Sequence, residues 1–153
     1  GATAIATIGF FNMIGTWGAG WLGGRYRKKY LLCALYLLRA LAIVGFIHMP
    51  LSETSVLVFA AGIGLLWLGT VPLTSGIVVQ LFGTRYMATL FSVVYLSHQL
   101  GSFTGVWLGG RIYDITGNYG SFWWVAVAMG VFAALVNFPI DDRPVARLAG
   151  RAA

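Results

Sequence analysis

Residues 54–84 read TSVLVFAAGIGLLWLGTVPLTSGIVVQLFGT, a run of 31 residues without a charge. Glu53 stands immediately before this run and Arg85 immediately after it. A helix of about 20 residues is enough to cross a hydrocarbon core of about 30 Å. The run is therefore long and apolar enough to pass through a lipid bilayer, and we predict a membrane-spanning helix over residues 56–81.

Other uncharged stretches surround this one in the sequence. No charge precedes Arg25, 25 uncharged residues separate Arg85 from Arg111, and 26 separate Asp114 from Asp141. These runs are apolar all round, whereas the strands of a membrane barrel alternate apolar and polar residues. We therefore predict an all-α polytopic membrane protein with about five transmembrane helices, at residues 4–22, 30–48, 56–81, 87–110 and 121–139.

The composition supports a chain that lies in lipid. Apolar residues make up 59% and charged residues only 9%, with a mean hydropathy of +0.83. Soluble domains are about 45–50% apolar and about 25% charged, so a soluble or disordered chain is excluded. One cysteine rules out a disulfide framework and a cysteine-rich zinc site. The net charge is +6, but binding to nucleic acid requires a basic surface on a soluble fold, which this composition does not allow. No nucleic acid is therefore expected as a partner.

The positive charges predict how the chain is oriented. With five spans, one side of the membrane receives eight of them, namely Arg25, Arg27, Lys28, Lys29, Arg85, Arg143, Arg147 and Arg151. The other side receives Arg111 alone, and Arg39 lies within a span. Positively charged loops remain on the cytoplasmic side. We therefore expect a multi-pass protein of the plasma (inner) membrane, with a cytoplasmic tail at residues 141–153.

A short sequence motif occurs twice. Residues 15–25 read GTWGAGWLGGR and residues 101–111 read GSFTGVWLGGR. The first copy closes the first span and the second closes the fourth, so the two copies run in opposite directions through the bilayer. Inverted repeats of three helices are common in secondary transporters. We predict an incomplete first unit at 1–49, whose first helix would lie upstream of Gly1, and a second unit at 50–140. The alternative is chance recurrence, because membrane helices favour glycine.

Residues 20–29, GWLGGRYRKK, resemble the signature loop of the major facilitator superfamily, Gly-x-Leu-x-Asp-Arg-x-Gly-Arg-Arg/Lys. The residues that fit this pattern, and that the resemblance implies as a gating loop, are Gly20, Leu22, Arg25, Lys28 and Lys29. Gly24 stands where the family has Asp, and Arg27 stands where it usually has Gly. The contact that the family's Asp makes in one gate state cannot form here in its usual way.

Three further segments resemble the last helices of monocarboxylate-transporter-like members: VPLTSG at 71–76, LSHQLGS at 96–102 and GGRIYD at 109–114. The resemblance implies the eighth to twelfth helices of a twelve-helix carrier, which form a partial six-helix bundle in the C-terminal part of the protein. It also implies alternating access around a central site. The expected partners are a small-molecule substrate, the lipid bilayer and the missing N-terminal half of the same protein, and no cofactor is expected.

Two polar residues lie in the middle of the fourth predicted span. His98 and Gln99 are candidates for a substrate or proton path, because an ionisable group at bilayer depth is rare and often functional. Histidine also changes charge between about pH 5 and 8, which suits proton coupling. The alternative is a neutral histidine bonded to a neighbouring helix. Arg39 is a weaker candidate, either as a ligand for an anionic substrate or as a side chain that reaches the cytoplasmic interface.

Other residues have either a transport role or a packing role. Asn12, Trp67 and Thr74 are candidates for the lining of a cavity, although hydrogen bonding between helices would explain them equally well. Pro72 predicts a kink in the third span. The small residues Gly101, Gly105 and Gly109 form a stripe that favours close helix packing.

The sequence gives no support for an enzyme. Gly18, Gly20 and Gly23 match the dinucleotide-binding pattern by letters only, since a membrane helix precedes them and the next acidic residue is Glu53. The two histidines stand 50 residues apart, and no metal site is predicted.

We expect a secondary active transporter for a small solute, with an organic anion as one candidate and an ion or proton gradient as the driving force. A non-transporting membrane subunit or scaffold is the first alternative, and a membrane-embedded enzyme is the second.

Overall fold

A computed structural model describes residues 1–142 of the chain. Residues 143–153 lie outside the described part, and with them Arg143, Arg147, Arg151 and most of the predicted tail. The described residues form helices and no strands, which confirms the all-α prediction. The helices are α1 (Ala2–Arg25), α2 (Lys28–His48), α3 (Glu53–Trp67), α4 (Thr70–Phe82), α5 (Met87–Thr116) and α6 (Gly120–Asn137).

Two predicted boundaries need correction. The third span is not one helix, because it is interrupted at Leu68 and Gly69 between α3 and α4. The fourth predicted span ended at residue 110, whereas helix α5 continues to Thr116 and includes Asp114. It ends where Gly117 adopts a φ of 71°, a left-handed conformation that glycine reaches without steric cost.

Three helical segments are long and apolar enough to cross a membrane: Lys28–His48, Gly120–Asn137 and Glu53–Phe82, which joins α3 and α4. Together with the composition, these segments describe a multi-pass membrane protein. Helices α1 and α5 have 24 and 30 residues, which is sufficient length, but their hydropathy is lower because they carry more glycine and polar residues. The number of five spans therefore stays a prediction.

The packing joins α1 to α3 and α2 to α6, with α4 against both α1 and α2. The most deeply buried residues of the centre are Leu32 and Leu73, which lie with Ala19 and Ile77. Glycines permit the close approach of α1 and α3, since a Cβ atom on Gly64 would lie 2.6 Å from the carbonyl oxygen of Ile8. Membrane helices use small residues in this way because lipid gives no hydrophobic drive for association.

Helix α3 begins with a side-chain cap. The Ser52 hydroxyl accepts a hydrogen bond from the Ser55 amide at 3.1 Å, and the Ser55 hydroxyl accepts one from the Ser52 amide at 2.9 Å. This reciprocal pair satisfies two backbone donors at the helix end. Serine side chains therefore cap this helix. Next to this end, the rings of Phe46 and Phe59 stack with centroids 4.2 Å apart, and Trp123 contacts both edge-on.

The two copies of the repeated motif have the same local pattern of contacts. Gly23 is buried, and a Cβ atom there would lie 2.8 Å from Leu73 Cδ2. Its counterpart Gly109 is also buried, and a Cβ atom there would lie 3.3 Å from the Phe122 ring. The next glycine in each copy has no atom within 4 Å of a Cβ position. The first glycine of the WLGGR motif therefore performs the same packing role on both helices.

Candidate functional site

The interruption between α3 and α4 lies in the longest apolar segment of the chain. Pro72 has no N–H group, so it cannot donate to the Leu68 carbonyl as a continuous helix would require. The Val71 amide instead donates to the Leu68 oxygen at 3.0 Å, three residues back. This tighter turn leaves the carbonyls of Leu66 and Trp67 without their usual partners within the helix.

Arg39 of α2 binds the two carbonyls that the interruption leaves free. Its Nη2 donates to the Leu66 oxygen at 2.6 Å and to the Trp67 oxygen at 2.9 Å. The guanidinium carbon also lies 5.4 Å from the Tyr36 ring centroid and 6.0 Å from that of Trp67. Its Nε is buried and has no hydrogen-bond partner among residues 1–142. The side chain is thus directed towards the end of α3, where a cation complements the helix dipole.

Asn12 of α1 binds the interruption from another helix. Its Oδ1 accepts a hydrogen bond from the Leu68 amide at 3.0 Å. One backbone donor and two backbone acceptors at the α3–α4 interruption are therefore bound by two different helices, through Asn12 and Arg39. Non-helical backbone is tolerated at membrane depth only where such partners exist.

The other two candidates on this segment have fewer contacts. Trp67 is 53% exposed, and its indole lies beside the guanidinium of Arg39. Thr74 is half-buried on α4, just beyond Pro72. Asn12, Arg39 and Trp67 therefore lie together at the interruption, which their separation in the sequence did not reveal.

A second polar group lies where α2 begins and the described chain ends, and we call Arg27, Lys28, Gln80 and Asp142 the charged cluster. Arg27 donates through Nε and Nη2 to Asp142 Oδ1 at 3.0 and 2.6 Å. The Lys29 amide donates to Asp142 Oδ2 at 3.5 Å. Asp142 is only 3% exposed, so this carboxylate is held within the protein by positive and N–H partners.

These contacts change both pKa values. Burial raises the pKa of the Asp142 carboxyl, but the hydrogen bonds from Arg27 and the Lys29 amide outweigh burial and lower it overall. The hydrogen bond to Asp142 raises the pKa of Arg27 above its already high value. Both groups are therefore charged at neutral pH, and the pair acts as a permanent electrostatic contact.

Gln80 links α4 to the same cluster. Its Oε1 accepts from Lys28 Nζ at 3.1 Å, and its Nε2 donates to the Asp142 backbone oxygen at 2.7 Å. The stem of Lys28 crosses Gly76, where a Cβ atom would lie 2.7 Å from Lys28 Cε. The end of α4, the start of α2 and the segment after α6 are therefore joined by one network.

The residues of the predicted gating loop have different positions. Lys28 is in the network, and Lys29 Nζ donates to the Phe138 oxygen at 3.4 Å. Arg25 is exposed and stacks on the Trp21 ring, with its guanidinium carbon 3.8 Å from the ring centroid. Leu22 is half-buried, and Gly20 lies against Pro72, with a Cβ position 4.0 Å from the proline Cβ.

Sequence reasoning missed the role of Asp142. The signal was available, because Asp141 and Asp142 form the one acidic pair in the chain and directly follow the last apolar span. The family pattern has an acidic residue where Gly24 stands, and a carboxylate from the other end of the chain now contacts the loop. Sequence alone did not connect two sites that are 115 residues apart.

His98 and Gln99 lie elsewhere, on the exposed surface of α5. The His98 ring lies 6.1 Å from that of Tyr95, and no hydrogen bond joins either residue to another side chain within residues 1–142. Three hydroxyls of this helix are bonded within it, since Ser92, Ser97 and Thr104 each donate to the carbonyl four residues earlier. The structure therefore separates His98 and Gln99 from the α3–α4 interruption.

The glycine stripe of α5 is only partly in contact with other residues. Gly109 packs on Phe122 of α6, whereas Gly101 and Gly105 have nothing within 4 Å of a Cβ position in the described chain. A packing role for Gly101 and Gly105 stays a prediction.

Comparison with known proteins gives distant relatives. The chain is 26% identical over 152 residues to the uncharacterized MFS-type transporter YcxA of Bacillus subtilis (strain 168), covering 94% of this chain and 36% of that protein. It is 27% identical over 128 residues to protein spinster homolog 1 of Mus musculus and of Homo sapiens, covering 82% of this chain and 24% of each relative. The chain thus spans about a quarter to a third of the length of these relatives. No protein-family model and no solved structure matches it.

Proposed function

We propose that this chain is the C-terminal part of a secondary active transporter of the major facilitator type, which moves a small solute across the plasma membrane by alternating access. The observation that carries the proposal is the similarity to an MFS-type transporter over 94% of the chain, in a protein whose helices suit a bilayer. Distant relatives of this kind support transport and not catalysis.

The proposed arrangement has five crossings, corresponding to the eighth to twelfth helices of a member of the monocarboxylate-transporter-like branch. The equivalent packing of Gly23 and Gly109 supports the inverted three-helix repeats. In this arrangement the charged cluster lies on the cytoplasmic side with the C-terminus. Its network from α2 and α4 to Asp142 supports a role for the basic loop in holding one gate state closed.

His98 and Gln99 are the proposed path for substrate or protons. They lie in the middle of a 30-residue helix, and their side chains have no hydrogen-bonding partner within residues 1–142. Such groups in lipid would be costly unless a cavity or another segment receives them. An organic anion is the proposed substrate class, and a proton or ion gradient is the proposed driving force.

The test is uptake by the full-length protein in proteoliposomes with an imposed pH gradient. A metabolite extract supplies the external solutes, and mass spectrometry identifies those that accumulate, so that no substrate is assumed in advance. We expect at least one organic anion to accumulate only when the gradient is present, and a protonophore to abolish this accumulation. If vesicles with and without the protein accumulate the same solutes to the same level, the protein is a non-transporting subunit or scaffold.

A further inference from the structure

We infer that Arg39 is a positioning residue that fixes the angle between α3 and α4, together with Asn12, and that it is not a substrate ligand. The reason lies in what the side chain binds. Its Nη2 is used by two backbone carbonyls of its own chain, at 2.6 and 2.9 Å. These carbonyls are the acceptors that the interruption removes from the helix, so the contact stabilises the interruption itself.

The geometry of the interruption requires partners from outside α3 and α4. A continuous helix satisfies its own amides and carbonyls, whereas this one exposes a donor at Leu68 and acceptors at Leu66 and Trp67. Water is absent from the hydrocarbon region, so side chains must replace it. Asn12 supplies the acceptor and Arg39 supplies the donor, each from a different neighbouring helix.

Side-chain packing around Gly69 also holds the α3–α4 interruption in place. A Cβ atom on Gly69 would lie 3.1 Å from Ala19 Cβ and 3.2 Å from Leu35 Cδ1. The interruption is therefore pressed against α1 and α2, the two helices that also provide the hydrogen bonds. A change in the angle between α3 and α4 must break the contacts of Asn12 or Arg39, or must carry α1 and α2 along with it.

This inference predicts a specific effect on transport, which rests on the proposed function. If the angle between α3 and α4 takes part in gating, loss of Arg39 alters the rate of the conformational cycle and leaves solute affinity largely unchanged. A substrate ligand would show the opposite pattern, with a raised KM. The geometric part of the inference does not depend on transport and can be tested without any solute.

The experiment measures the distance between nitroxide labels at Glu53→Cys and Phe82→Cys, the first residue of α3 and the last residue of α4. A Cys33→Ser background removes the native thiol of the described chain, and the full-length protein is used in detergent and in lipid nanodiscs. The labels would stand about 43 Å apart on a straight helix, which pulsed electron paramagnetic resonance can measure. We expect a narrow distribution, centred below that value, in the protein with Arg39.

Arg39→Gln is expected to broaden or shift the distribution, whereas Arg39→Lys, which keeps a charged donor, is expected to retain most of the original shape. Arg111→Gln removes the same charge from the exposed end of α5 and serves as the matched control. Asn12→Ala provides a second route to the same change if Arg39→Gln does not fold. Unchanged distributions in Arg39→Gln, or in Asn12→Ala where Arg39→Gln does not fold, would overturn the inference.

Uptake of the solute identified in proteoliposomes separates the two proposals. We expect Arg39→Gln to lower Vmax about tenfold with KM changed by less than about twofold, and Arg39→Lys to recover part of the rate. A raised KM with an unchanged Vmax would identify Arg39 as a solute ligand and refute the positioning role. Absence of transport by the unmodified protein would refute the proposed function, while the label distances would still decide the role of Arg39.

Discussion

Gly15 and Leu65 bring the backbones of α1 and α3 into direct contact. A Cβ atom on Gly15 would overlap the backbone carbonyl of Leu65, which is not a flexible side chain and cannot move aside. The same pair of helices meets again at Gly64 and Ile8. The α1–α3 interface therefore depends on the absence of side chains at two positions, and this pair of helices forms the most extensive contact in the described chain.

Gly15→Ala is expected to destabilise the protein, because one methyl group must force α1 and α3 apart. Overpacking of this kind costs about 1–3 kcal/mol. The thermal unfolding midpoint in detergent measures the effect. Gly9→Ala is the control on the same helix, since its Cβ position is open, and it should be neutral or slightly stabilising. Equal midpoints for the two variants would contradict the close contact.

Asp142→Asn is expected to lower the unfolding midpoint at neutral pH, because Arg27 loses its charged acceptor. The pKa of Asp142 is lowered in the folded protein relative to its ordinary value of 3.8. Its stabilising contribution is therefore complete above about pH 4 and is lost as pH falls through the lower folded pKa. The difference between the variant and the original protein should accordingly be constant from pH 8 to about pH 5 and should shrink at lower pH.

Asp114→Asn is the control for this measurement, since Asp114 is exposed at the end of α5. It should leave the midpoint nearly unchanged over the same pH range. If the difference in unfolding midpoint between Asp142→Asn and the original protein grew on acidification, the pKa of Asp142 would be raised and not lowered in the folded protein.

His98→Ala is expected to flatten the pH dependence of solute uptake if His98 carries a proton during transport. The measurement is the initial rate between pH 5 and 8, the range in which histidine changes charge. His48→Ala is the control, because His48 lies at the end of α2 with its Nδ1 2.8 Å from the Val44 carbonyl oxygen. A His98→Ala rate profile identical to that of His48→Ala would remove His98 from the proton path.

Phe59→Leu is expected to destabilise the protein by about 1 kcal/mol, because it removes the stacked contact with Phe46 and the edge contact with Trp123. This cluster joins α2, α3 and α6 near one end of the bundle. Phe132→Leu makes the same change at a side chain that is 58% exposed. The free energy of unfolding of both variants is measured with urea or by heating. A decrease for Phe132→Leu as large as that for Phe59→Leu would contradict the role of the cluster.

The sequence predicted the features that depend on local physics. Uncharged runs bounded by charged residues identified the helical segments. Pro72 predicted a distortion, but the interruption is four residues earlier, because proline fails to donate to the carbonyl of Leu68. Its final position also depends on Asn12 and Arg39, which are distant in sequence and which pattern reasoning could not connect to it.

The charged cluster was hidden for a similar reason. The basic residues 25–29 were conspicuous, but their acidic partner comes from beyond α6, and an ion pair between distant segments leaves no periodic pattern. Conversely, the predicted roles of His98 and Gln99 depend on which groups surround α5, and the described residues place few neighbours there.

The hydroxyl groups of α5 have a consequence for how that helix meets its surroundings. Ser92, Ser97 and Thr104 each donate to a carbonyl of their own helix, so these hydroxyls need no hydrogen-bond acceptor from an adjacent segment. A segment that slides along this surface, or withdraws from it, leaves these three hydroxyls hydrogen-bonded. Helix α5 can therefore exchange one neighbour for another without breaking a hydrogen bond of these three hydroxyls, a property that the proposed transport cycle would use.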